Sequence, residues 1–484
     1  MDKLQAQAYI RDQEQIITGI GDALWENPET AFSEYFAVET ICGVLEKAGF
    51  KIEKGVGNVP TAFTATYGTA KPVIGLLAEY DALAGLNQQG GKAEKMPTSP
   101  EDAGKPGHGC GHNCIAAGCV GAALGIKAYL EAHPEKGTVV VYGCPGEEGG
   151  SGKTFMAREG VFDNCDIAMT WHPSTYNSIV SGSSLANYQV LYKFYGIAAH
   201  AASDPEAGRS ALDAVELMNT GVQYLREHIP EKCRIHYAIT NTGGFSPNVV
   251  QARADVLYLI RSPKSADLGP LYERVNDIAK GAAMMTGTRV EIDFVKACSE
   301  EVKNETLEKA IYRNMEEVPL PKYTEEEYAF AKAMQASYQN PKNILEHAVT
   351  RCGEEYREEL TELFKPNKGL NDFLLPCYTN EVVSAGSTDV GDVTWVCPTI
   401  QMVAVTTAAG TPGHSWHFVA FNNTSVAHKG TMYGAQVLAG TAIDLYENKE
   451  LRDAAKAEHL KRLGGATYKC PIPAGVKPRA INQL

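Results

Sequence analysis

Short runs of consecutive apolar residues alternate along this chain with longer stretches whose apolar positions recur every three to four residues. That is the pattern of buried parallel strands separated by amphipathic helices. Residues 73–80 (VIGLLAEY), 138–144 (TVVVYGC), 166–171 (DIAMTW) and 399–406 (TIQMVAVT) are the runs, and each predicts a strand buried on both faces. Ile10, Ile16, Ile17, Ile20 and Leu24 predict helix within residues 3–27, and a second helix is expected over 34–48. The small-residue stretch IAAGCVGAALGIKAYLEA predicts a helix over 114–131, with Asn113 as its cap. A closing helix is expected over 424–447, followed by a polar tail.

Between the third and fourth runs the pattern changes. Residues 187–196 alternate as a half-exposed strand does, 208–226 are amphipathic helix, 234–240 and 252–260 read as strands, 266–286 as helix and 289–295 as strand. The order βαββαβ is a compact ferredoxin-like unit inserted into an α/β domain with a mostly parallel sheet. The expected division is residues 1–184 and 300–484 for the α/β domain and 185–299 for the insert, with hinges near Ser183 and Ser299. Residues 88–106 lack periodicity and predict a loop, whereas 304–366 are charged and helical, the pattern of a solvated insertion near the site or on the outside of the α/β domain.

A length of 484 residues agrees with two domains. The net charge of −14 speaks against nucleic acid or an anionic membrane as partner, so an anionic substrate needs local positive charge. The polar first residues carry no apolar signal core, and no span of the ~20 apolar residues that cross a membrane is expected. Twelve cysteines without an export signal predict reduced thiols and a cytoplasmic protein.

The candidate chemistry gathers where the strands end. His108-Gly-Cys110-Gly-His112 places three potential metal ligands in five residues; 138–144 runs into Glu147-Glu148, 166–171 into His172-Pro173, 73–80 into Asp81, and 399–406 into a loop with His414 and His417. Open α/β sheets build their sites beyond the carboxyl ends of their strands. Cys110, His112, Glu148, His172 and His414 exceed what one tetrahedral ion takes from protein, so two ions sharing a ligand fit better. Glu147, beside a coordinating Glu148, is then free to move a proton. A closed zinc site of Cys110, His112, Cys114 and Cys119 is the rival, and it requires Cys114 and Cys119 to point outward from a close-packed helix. His417 competes with His414 as last ligand.

The motifs AEYDALAG, GHGCGHN, GEEGGSGK, WHP, FYGIAAHAA, GRSALDAV and TPGHSWHF resemble the M20 metallopeptidases, specifically the amidohydrolase subfamily with a cysteine ligand. Within it, EYDAL, GSTDVGDV and TPGHSW are similar to the p-aminobenzoyl-glutamate hydrolase B-subunit group. The resemblance implies a zinc-exopeptidase-like catalytic domain whose insert is a lid and dimerisation domain. It implies two Zn²⁺ or Mn²⁺ ions bridged by Cys110, one held by Glu148 and His414 and the other by His112 and His172. Glu147 matches the general acid/base, Asp81 the aspartate that orients a ligand, and His200 the lid histidine that stabilises the oxyanion in a neighbouring subunit's site. Asn248 and Arg261 match positions associated with a substrate carboxylate. Two departures are Ala84 for the family's proline and Asn113 where relatives carry Asp.

The function expected is hydrolysis of the amide bond of an N-acyl or N-aroyl amino acid, p-aminobenzoyl-glutamate-like or dipeptide-like. The enzyme would be a homodimer, or would have a related partner subunit. Two readings stand beside it: another hydrolysis at the same metals, such as deamination or carbamoyl or amidine cleavage, and a non-catalytic subunit of a hydrolase.

Overall fold

All four continuous apolar runs become strands of one sheet in the computed structural model, which describes residues 1–341 and 343–480. Strands β1 (Lys51–Lys54), β2 (Phe63–Gly68), β3 (Val73–Glu79), β4 (Thr138–Cys144), β5 (Ile167–Ser174) and β6 (Ser178–Ile179) come first. Strands β7 (Ala186–Tyr195), β8 (Arg234–Asn241), β9 (Arg253–Ser262) and β10 (Arg289–Cys298) follow, and β11 (Thr399–Val405) is last. The larger sheet has the order β1-β2-β4-β3-β5-β11-β6. Its centre, β4-β3-β5-β11, is parallel, and antiparallel strands flank it at both edges. β5 runs further than its apolar run suggested, so His172 lies within the strand, opposite Val403 of β11. Pairing with β11 carries the ladder through the Trp-His-Pro sequence.

This sheet belongs to a unit made of Met1–Ser183, Val302–Val382 and Val393–Lys469. Its central helix, His112–Ala132, packs on β3, β4 and β5 and against the helices Glu14–Glu26 and Ser425–Glu447. Small residues are what this crowding demands: a Cβ on Gly118 would come within 2.3 Å of the Trp171 indole. Among the described residues this one helix is long and apolar enough to cross a membrane, contrary to expectation, yet 94% of its apolar window is buried inside the fold. Its cap also differs from expectation. Gly111 occupies the cap position, and Asn113 lies inside the helix, donating from Nδ2 to the carbonyls of Gly21 (3.1 Å) and Asn422 (3.0 Å).

Three further expectations change. Helix within residues 3–27 breaks at Gln13 into Lys3–Asp12 and Glu14–Glu26. The expected polar tail contains the helix Lys449–Leu463, which buries only Ala455 and His459 and so leaves no apolar stripe to read. The charged stretch after Asn304 forms the helices Glu305–Glu317, Glu325–Ala336, Ile344–Cys352 and Arg357–Phe364. These are not merely solvated: Leu307, Ile311, Ala348, Val349 and Leu360 join the main core, and Ala331 and Met334 pack with Val405 and Phe421.

The second unit comprises Ser184–Glu301, Val383–Asp392 and the segment from Cys470. Its sheet, β10-β7-β9-β8, is antiparallel throughout. Val190, Tyr192, Phe194, Val256 and Tyr258 pack against the helices Ala211–Leu225 and Ser265–Thr286. Late in the chain, Arg479 reaches β10 and grips Asp293 with Nη1 (2.9 Å) and Nη2 (3.0 Å), while Lys193 Nζ holds the same carboxylate at 2.7 Å. None of the twelve cysteines is joined to another by a disulfide.

Candidate metal centre

β3 delivers Asp81 just past its end, and the buried Asp81 carboxylate ties two other segments together. One oxygen lies 2.9 Å from His112 Nδ1, and the other accepts the Glu148 backbone N–H at 3.0 Å. With Nδ1–H directed at Asp81, the Nε2 lone pair of His112 faces the site. Gly111, at φ +81°, makes the turn into the helix, and a Cβ there would meet Pro173 at 2.8 Å, so no other residue fits.

Around this support the donors converge. Cys110 Sγ lies 3.5 Å from His172 Nε2, whose Nδ1 is 2.8 Å from the Pro173 carbonyl oxygen. His414 Nε2 is 3.1 Å from Glu148 Oε1. The donor atoms of Cys110, His112 and His172 all lie within 4.8 Å of one another, as do those of Cys110, Glu148 and His414, and those of His112, Glu147 and Glu148. Cys110 is common to the first two groups. His414 adopts φ +53° while its backbone N–H donates to the Gly109 carbonyl. For a non-glycine residue that left-handed conformation costs roughly 1–2 kcal/mol, and here it holds a ligand-type side chain at the cluster.

The electrostatics call for positive charge at the centre. Burial opposes ionisation of Cys110, but His172 and His112 override it and hold the thiol well below its ordinary range. Burial disfavours charge on His112 and His172 as well. Asp81 and Cys110 nevertheless hold His112 well above the imidazole range, and Cys110 brings His172 up to about 9. Hydrogen bonds to Cys110 and Glu148 raise His414 to about 10, while burial and the Cys110 charge push Glu148 up to about 7. One buried atom facing the cluster, His112 Nε2, makes no hydrogen bond among the described residues. Thiolate, imidazole and carboxylate donors with an unsatisfied lone pair among them fit divalent cations, which replace shared protons.

The other sequence candidates fall elsewhere. His108 is buried with Nε2 3.2 Å from the Leu24 carbonyl oxygen, and burial lowers it to about 3, so this neutral histidine is structural and the Gly-Cys-Gly-His segment offers two candidate ligands instead of three. Cys114 and Cys119 are buried in the core, which removes the rival closed zinc site. His417 is buried, stacked on Trp416 and edge-on to Tyr338. His200, Asn248 and Arg261 belong to the second unit. There His200 Nδ1 accepts from the Ala202 and Ser203 amides, the Asn248 carbonyl accepts from the Ala201 amide, and Arg261 Nη1 donates to Ser387 Oγ at 3.1 Å.

Sequence reasoning missed the pair beneath the ligands, Glu79 and Lys153. Lys153 Nζ binds Glu79 Oε1 at 2.6 Å, both buried, and Glu79 Oε2 lies 3.5 Å from His112 Nε2. The available signal was Glu79 itself, an acid interrupting an apolar strand. Glu34 was also missed. It is fully buried and accepts from the Phe32 and Gly146 amides and from Thr61 Oγ.

An open α/β sheet with such donors at its carboxyl edge defines a metal-dependent hydrolase of C–N bonds. Residues 75–363 match the profile of peptidase family M20/M25/M40, and the chain belongs to that family. It is 47% identical over 475 residues to the p-aminobenzoyl-glutamate hydrolase B-subunit of Escherichia coli K12, covering 98% of each chain. It is 33% identical over 304 residues to the Xaa-Arg dipeptidase of Mus musculus, covering 60% of this chain and 65% of that one. Among solved structures, a dinuclear metal-binding M20 peptidase of Bacillus subtilis shares the fold, with a TM-score of 0.51 at 17% identity over 90% of this chain and 99% of that one.

Proposed function

We propose that this enzyme uses two divalent ions, Zn²⁺ or Mn²⁺, to hydrolyse the amide of an N-acyl or N-aroyl amino acid, p-aminobenzoyl-glutamate being the first substrate to try. The carrying observation is that two donor groups share Cys110 and a third brings Glu147 beside them. In this reading Glu148 and His414 would hold one ion and His112 and His172 the other, with Cys110 common to both groups. The near-full-length likeness to one chain of a p-aminobenzoyl-glutamate hydrolase supports the substrate class.

Bound there, the ions supply Lewis acidity, which acidifies water and polarises an amide carbonyl. The chain's own residues do the rest. Glu147 takes a proton from the attacking water and returns it to the departing amine nitrogen as the C–N bond breaks, and the second water proton follows to the same nitrogen, leaving a carboxylate and an ammonium group. Asp81 keeps the His112 Nε2 lone pair turned to the centre. His200, from the second unit of a partner copy, donates to the oxyanion, and Arg261 with Asn248 grips the substrate carboxylate. Self-association through the second unit is part of this reading. A related partner chain is its variant, favoured by the relative's designation as a subunit.

Treatment with a chelator should abolish amide hydrolysis, Mn²⁺ or Zn²⁺ should restore it, and elemental analysis should find two ions per chain. Glu147→Ala should keep both ions and lose ~10²–10⁴-fold in kcat. Metal-replete wild type that cleaves no amide across a panel of N-acyl amino acids would defeat the reading. Light scattering on the isolated chain distinguishes self-association from need of a partner.

A further inference from the structure

A cavity of about 240 Å³ opens beside the ligand cluster, entirely within the first unit, with Cys110, His172 and His414 in its wall. Part of the remaining wall comes from the helix Ile344–Cys352 of the charged insertion, which brings His347 and Arg351 to the same space. Arg351 is half-buried and fixed by neutral acceptors: Nε donates to Tyr378 Oη at 2.6 Å and Nη2 to the Ile179 carbonyl at 3.3 Å. Tyr378 Oη in turn donates to the same carbonyl at 2.8 Å. Nη1 has no hydrogen-bond partner, and no carboxylate lies within 4.0 Å of the guanidinium, among the described residues. Acids are not scarce nearby. Glu346, on the same helix, pairs with Arg357 at 2.7 Å, and Glu354 pairs with Arg357 as well.

A guanidinium that cannot lose its proton, held rigid by uncharged groups and facing a cavity in a chain of net charge −14, is built to receive an anion. The Cys110 thiolate shares the cavity wall, so local positive charge is needed there if an acidic group is to enter. We infer that Arg351 anchors a second carboxylate of the substrate, distinct from the one on the α-carbon, so that the enzyme selects N-acylated dicarboxylic amino acids. The inference rests on the hydrolytic reading above and adds to it the residue that sets specificity. Two parallel N–H···O bonds from Nη1 and Nη2 suit a side-chain carboxylate, whereas a carboxamide in the same place offers one acceptor and no charge.

The test compares p-aminobenzoyl-L-glutamate with p-aminobenzoyl-L-glutamine, identical but for that group. Binding is measured by calorimetry on the metal-loaded full chain carrying Glu147→Gln, which prevents turnover, and kcat/KM is measured on the otherwise wild-type chain. The glutamate ligand should bind about tenfold more tightly than the glutamine ligand. Adding Arg351→Gln should bring that ratio near one by weakening only the glutamate ligand, and Arg351→Lys should keep part of it. If Arg351 only staples Tyr378 and Ile179, Arg351→Gln weakens both ligands alike and the inference falls. It also falls if the Glu147→Gln chain binds neither ligand or binds both equally. Preferential glutamate binding without hydrolysis by the wild type would defeat the hydrolytic reading and leave Arg351 standing. Equal hydrolysis of both compounds would do the reverse.

Discussion

Glu34 has no exposed surface, and three hydrogen bonds converge on its carboxyl: from the Phe32 amide (2.8 Å), the Gly146 amide (2.9 Å) and Thr61 Oγ (2.7 Å). Burial, and then the charge of Asp81, push it up to about 8 from an ordinary 4.5. The folded chain therefore keeps a proton that the unfolded chain releases. This contribution to stability is complete below pH 4.5 and is lost as pH rises through about 8. Glu34→Gln mimics the protonated form, so urea unfolding between pH 5 and 9 should show wild type losing on the order of 2–4 kcal/mol relative to the variant. Parallel stability curves would show that the carboxyl stays ionised in the native state. Because Glu34 fixes Gly146, it also sets the start of the loop carrying Glu147 and Glu148. Residues such as Asp81 and Cys110 were legible because each sits in a short motif at a strand or helix end. Glu34, Glu79 and Lys153 were not, since a buried acid or lysine is stabilised by partners far away in sequence and leaves no local period.

At the scale of the element, the helix His112–Ala132 sets the spacing between two candidate ligands, His112 and His172, because its Gly118 rests on Trp171, the neighbour of His172. Gly118→Ala puts a methyl group 2.3 Å from the indole nitrogen, with a rigid strand behind it. Overpacking of this kind costs about 1–3 kcal/mol, so the variant should melt several degrees lower by calorimetry. Unchanged melting would mean that helix and strand slide apart freely. The strands and their parallel pairing were readable because unbroken apolar runs of this length have few other uses. The cap was misread because Asn113, next to two glycines, looks like a local hydrogen-bonding residue, whereas its partners are Gly21 and Asn422. The insertion was misread for a related reason: its helices bury narrow faces, and charge dominates what a sequence window sees.

Over the whole molecule, the donor cluster draws Cys110 with His112, Glu148, His172 and His414 from four separate segments of a single unit. Ions bound there join segments that no covalent link holds, and binding to the native state alone adds to stability as RT ln(1 + [L]/Kd). Metal at one hundred times its Kd should contribute ~2.7 kcal/mol, seen as a higher melting temperature for the Mn²⁺- or Zn²⁺-loaded chain than after chelation. Equal melting temperatures would count against a centre of the proposed kind. Membership of the family was legible across the chain because its motifs are short and rigid, while the cavity wall bearing Arg351 came into view only once the insertion folded back beside Cys110.

The second unit is discontinuous, and its last piece reaches β10 through Arg479. During translation the ribosome must first produce Val302–Val382 and Val393–Lys469, all of which belong to the other unit. Until then Asp293 has Lys193 as its companion and waits for its guanidinium. The middle of the nascent chain is thus assembled early and fastened late.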